Sequence, residues 1–101
     1  MERTQTDPTD EALRRLIEQP SYAAQVLIVM ARMLEMDGTQ PVGPVAQRRA
    51  LDIATDTVLG TLPEVVRRDS LERAHRVMPD LSAGTRGETA LRLRAAAKNL
   101  G

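Results

Sequence analysis

The sequence predicts an all-α fold: a compact bundle of about five short helices around a central hydrophobic helix over residues 22–37. Three observations lead there. Apolar residues recur at helical spacing in segment after segment, and no stretch alternates with the period of two that a half-buried strand requires. Proline, glycine and short polar side chains stand at the ends of those segments, where helices start and stop. Ala and Leu are frequent while Tyr22 is the single aromatic residue, a composition that suits helices better than sheets. A length of 101 residues fits one helical domain over 1–101, with 1–7 as a flexible N-terminal tail.

The first helix opens at "DPTDEALRRLIEQP". Asp7 caps it, Pro8 suits the first helical position, and Asp10 and Glu11 complement the helix dipole. Ala12, Leu13, Leu16 and Ile17 follow helical spacing until Pro20 stops the helix. The second starts from Ser21 as cap, runs to about Asp37 and meets Gly38 as terminator. Residues 38–44, "GTQPVGP", form a turn-rich connector.

The third helix runs from Pro44 to Leu59 and ends at Gly60. Its apolar set is Val45, Ala46, Ala50, Leu51, Ile53, Ala54, Val58 and Leu59. Thr61 and Glu64 have the spacing of a capping box before the fourth helix, which carries Val65, Val66, Leu71, Ala74, Val77 and Met78 and ends at Pro79. Asp69-Ser70 in its middle is a second cap signal, which leaves open one rod or two pieces. A further capping box, Thr85 to Glu88, precedes the fifth helix. Ala90, Leu93, Ala97 and Leu100 lie on one face of it, with Leu91 and Ala95 beside them.

Composition narrows the class. The chain is 42% hydrophobic and 28% charged, which fits a folded domain and not a disordered one. Aromatic side chains bury the most area each, so a core of Leu, Val, Ala, Ile and Met favours self-association or a partner that completes it. Formal net charge is zero, against a generally basic nucleic-acid binder. The charge is nevertheless split. Residues 1–60 hold six Arg against nine acidic residues, and residues 61–101 hold eight Lys plus Arg against five. Thirteen of the fourteen basic residues are Arg, which reads as the codon bias of a high-GC, bacterial genome. The absence of Cys excludes disulfides and thiolate metal sites. No signal-peptide layout opens the chain, and the longest apolar run, Val26–Ala31, is far short of the ~20 residues that span a bilayer. A cytoplasmic location with no membrane partner is expected.

The stretch "VLIVMARMLEM", residues 26–36, has apolar side chains on every side of a helix, three of them methionines spaced by three. A helix enclosed by its neighbours accounts for it, as does an interface. Tyr22, Met30, Met33 and Met36 are accordingly the candidate partner-binding residues, methionine being adaptable at such surfaces. The triplet is not expected to bind Cu(I), since there is no Cys and the one histidine, His75, sits on another helix. No metal and no cofactor are expected.

The run "RRDSLERAHR", residues 67–76, predicts the intrahelical pairs Arg68–Glu72, Asp69–Arg73 and Glu72–Arg76. Its alternative is an anion or nucleic-acid face of Arg67, Arg68, Arg73, Arg76, Arg86, Arg92 and Arg94. Asp69-Ser70-Leu71 resembles the phosphopantetheine attachment tripeptide of acyl carrier proteins, which implies a modified serine at a helix start. The context departs from that family, because two arginines precede the serine and the helix after it is basic.

No nucleophile motif, paired-histidine motif or phosphate-cradling glycine pattern is present. An enzyme is therefore the least supported class. The expected function is a small interaction module whose partner is protein, itself as a homodimer included, that buries an apolar surface and matches opposite charges. A DNA-binding regulator is the alternative, and a binder of an apolar small molecule the third reading.

Overall fold

A computed structural model describes residues 20–100. The expected first helix and the 1–7 tail lie outside the described residues. Among the described residues there are four helices where the sequence led to about five: α1 (Tyr22–Glu35), α2 (Pro44–Leu59), α3 (Glu64–Val77) and α4 (Arg86–Leu100).

The hydrophobic helix is the centre. α1 touches each of the other three helices, and its longest seam is with α4. It buries Ala23, Ala24, Val26, Leu27, Met30, Ala31 and Leu34, while Ile28 and Val29 pack half-buried against the same core. Its exposed residues are Tyr22, Arg32 and Glu35, with Met36 exposed just beyond its end. The surrounding helices answer with small residues. Ala50 and Ala54 of α2, Ala74 of α3, and Ala90 and Ala97 of α4 are buried, so backbones come close and Leu27, Met30, Leu59 and Leu93 fill the space.

Several local signals are realised as read. The Ser21 hydroxyl oxygen accepts from the Ala24 N–H at 3.2 Å and starts α1. The Thr85–Glu88 box forms in both directions: Thr85 Oγ1 accepts from the Glu88 N–H at 3.2 Å, and Glu88 Oε1 accepts from the Thr85 N–H at 2.8 Å. Other signals fail for identifiable reasons. Thr61 does not cap α3, whose N-cap position is held by Pro63 without a side-chain bond. A residue before proline is kept out of the helical region, so Leu62 cannot begin the helix and Thr61 stands too far back. Asp69-Ser70 does not break α3, because Ser70 lies on the buried side of a continuous rod. α1 closes two residues earlier than expected, at Glu35, as Met36 and Asp37 tighten into i→i+3 bonds on Met33 and Leu34.

A short lock joins the α1–α2 connector to the start of α4. The Gly87 N–H donates to the Gly38 carbonyl at 2.9 Å, and the Arg86 N–H donates to the Gln40 carbonyl at 2.8 Å. Pro41 and Thr85 pair as an isolated antiparallel bridge between them. A helix start normally leaves four N–H groups unmet; here those of Arg86, Gly87, Glu88 and Thr89 all have acceptors.

Candidate functional site

The candidate residues of α1 do not form one surface. Met30 is fully buried inside the chain and Met33 is half-buried. Tyr22 and Met36 are exposed, but they stand at opposite ends of the helix, roughly 21 Å apart at about 1.5 Å per residue. The greasy helix is thus mainly a core element.

The arginines divide into two groups. Those of α4 are occupied inside the fold. Arg94 makes a two-pronged ion pair with Glu35 of α1, its Nε and Nη2 each 2.7 Å from a carboxylate oxygen. Arg92 donates to the Ala83 carbonyl, to the Asp80 carbonyl at 3.4 Å and to Thr89 Oγ1 at 3.0 Å, holding the 78–85 loop on α4. Arg86 donates to the Pro41 carbonyl at 3.0 Å and reaches Asp37 at 4.0 Å. Of the α3 arginines, Arg68, Arg73 and Arg76 are exposed and paired along their own helix: Arg73 with Asp69 at 3.7 Å and Arg76 with Glu72 at 3.6 Å, as read. Arg68 departs from the reading and takes Glu64, at 2.7 Å, in place of Glu72. That partner is one turn nearer the N-terminus, where a carboxylate also meets the favourable end of the helix dipole.

Arg67 is half-buried in a groove between α2 and α3, and its Nε has no hydrogen-bond partner among the described residues. Leu51, Leu71, Thr55, Asp52, Asp56 and His75 line the same groove. Ser70, the residue of the carrier-protein tripeptide, is 6% exposed in mid-helix, so its hydroxyl does not stand at a helix start. Among the described residues no group of three or more His, Asp or Glu is placed to hold a metal ion. Nor is any helix long and apolar enough to cross a membrane.

What sequence reasoning missed is the outer face of α2. Val45 is 77% exposed and Ile53 41% exposed, although both belong to the helix's apolar set. With Pro44, Arg48, Arg49 and Asp52 they line a shallow groove of about 440 Å³. The signal was present. Nine residues separate Val45 from Ala54, which at 3.6 per turn is about 180° around a helix. A set spread that widely cannot all face one core, and Ala54 is the residue that does.

The three acidic groups of the α1–α4 region carry a pH prediction. Glu35 is held below the usual carboxylate range by its hydrogen bonds from Arg94 and by that charge, and Arg94 is raised in turn. Asp80 is lowered by the hydroxyl and N–H of Ser82, and Glu88 by the N–H and hydroxyl of Thr85. A carboxylate lowered in the folded state contributes stability that is complete above its unfolded value, about 4. That contribution is lost as pH falls through the lower folded value. The melting temperature is expected to be insensitive to these groups from pH 7 to about 5 and to fall below about 4. The triple variant Glu35→Gln, Asp80→Asn, Glu88→Gln should flatten that acid limb. An unchanged limb would mean that other groups set it.

No protein-family model matches the chain, and no curated protein or solved structure matches it.

Proposed function

We propose that this protein is a small helical interaction module that works by self-association and has no catalytic chemistry of its own. The observation that carries the reading is the outward Val45–Ile53 face of α2, an apolar strip edged by Arg48, Arg49 and Asp52. Burying a Val or Ile side chain completely is worth ~1.5–3 kcal/mol, so a helix exposing two of them gains by covering them. The helix that looked most like an interface spends its apolar residues on the core, which leaves α2 as the better surface. The α4 arginines favour no second reading on nucleic acid, because Arg86, Arg92 and Arg94 hold the fold together.

One helix face makes a small interface, so the dimer is expected to be weak and dependent on concentration. Light scattering over a dilution series should give a mass near twice 11.1 kDa at high concentration, falling on dilution. A mass of 11.1 kDa at every concentration up to the solubility limit would overturn self-association.

A further inference from the structure

The charges along the outer face of α2 are arranged in a self-complementary way, and we propose that a second copy docks there antiparallel, about a twofold axis across the helix near Ala50–Leu51. This rests on the self-association reading and adds the place and the register. Arg48 and Arg49 lie toward the N-terminal half of that face, and Asp52 and Asp56 toward the C-terminal half. A parallel partner sets like charges opposite each other. An antiparallel partner reverses the order and sets basic against acidic on both sides of the axis, as an isologous contact requires.

The register follows from matching the charges. With Arg49 opposite the partner's Asp52, symmetry places Asp52 opposite the partner's Arg49. Val45 then lies across from the partner's Asp56 and Ile53 across from the partner's Arg48, so each Val45 stands about one helical turn from the partner's Ile53, on either side of the axis. Direct facing of Val45 with the partner's Ile53 is the competing register. It sets Arg49 against Arg49 on the axis, which like-charge repulsion disfavours. Among the described residues Asp52 is engaged by Arg48, at 3.5 Å across an exposed pair, a weak bond that a second arginine joins easily. The 38–43 connector does not crowd this face, because the backbone lock holds it on α4, where Gly38 and Gln40 meet Gly87 and Arg86.

The test uses two charge reversals in the full chain, Arg49→Asp and Asp52→Arg, each at an exposed position. Either alone places like charges together twice across the axis and is expected to weaken the homodimer roughly ten-fold or more. Mixed in equal amounts, the two variants restore opposite charges at both contacts. A heterodimer should then form with about the wild-type affinity. Sedimentation of each variant and of the mixture reads this out, with unchanged helical circular dichroism as the control for folding.

Recovery in the mixture supports the antiparallel register. A wild-type dimer that ignores both reversals and also Val45→Glu overturns the α2 site while self-association stands. A dimer broken by Val45→Glu and by each reversal, but not recovered in the mixture, overturns the register and keeps the face. A wild-type monomer overturns both readings. If Val45→Glu then lowers its melting temperature, the face is covered from within the chain, and residues 1–19, with Leu13, Leu16 and Ile17 at helical spacing, are the segment to delete next.

Discussion

Met30→Glu is expected to abolish the folded state, with a loss of at least about 4 kcal/mol, while Met36→Glu, six residues along the same helix, changes stability by less than about 0.5 kcal/mol. The two residues belong to one methionine series with equal spacing, and sequence alone treats them alike. Their surroundings are opposite. Met30 has no exposed surface and lies among the buried residues of all four helices, whereas Met36 is 87% exposed just beyond the last turn of α1. The described core is almost wholly Leu, Val, Ala and Met, so a carboxyl at position 30 leaves water for an apolar surrounding. It must be buried as an ion, or neutralised and left without hydrogen bonds, and either costs several kcal/mol. A domain of this size holds only ~5–15 kcal/mol in total, so little of the folded population survives. Chemical denaturation of both variants, followed by circular dichroism, measures the difference. Equal effects from the two would mean that α1 is not enclosed as described.

Much of the fold was legible because its punctuation is strong. Pro44 and Gly60 bound α2 at the residues expected, and Ser21 and the Thr85–Glu88 box start their helices as read. These are local signals: Ser21, Thr85 and Glu88 make the capping bonds themselves, and Pro44 acts through its own fixed backbone angle. Legibility fell off where a partner distant in sequence decides the outcome. One failure was local instead: Thr61 and Glu64 have the spacing of a capping box, but Pro63 between them fixes a different start. Two arginines of α4 resembled a free basic face because Glu35 and Pro41, the groups that engage Arg94 and Arg86, lie far away along the chain. The α2 face is an intermediate case. The wide angular spread of its apolar set was readable, but which half turns inward depends on where α1 packs.

Gly87→Val is expected to destabilise the domain by roughly 2–4 kcal/mol, from overpacking of about 1–3 kcal/mol together with weakened hydrogen bonds of about 1 kcal/mol each. In the sequence Gly38 is a helix terminator and Gly87 a residue inside a capping box, with nothing to connect them. In the structure their backbones touch. A methyl at position 87 would sit 3.2 Å from the Gly38 carbonyl oxygen and 3.6 Å from its Cα. Both neighbours are backbone atoms, so no flexible side chain can swing aside. The larger branched side chain pushes the connector off α4 and lengthens the bonds from Gly87 to Gly38 and from Arg86 to Gln40. It also moves Asp37 and Glu35 away from the arginines that hold them, Arg86 and Arg94. Gly43, in the same connector, supplies the contrast: an added Cβ there meets nothing within 4 Å, so Gly43→Ala should stay within about 0.5 kcal/mol of the parent. Amide exchange tells a local from a general effect. In Gly87→Val the protection of the Arg86 and Gly87 N–H groups should fall before that of Leu27 and Leu93, because the lock opens while the core still holds. Uniform loss across all four sites would mean that the connector and the core open as one unit, and that the glycine contact is part of the core's own cooperativity.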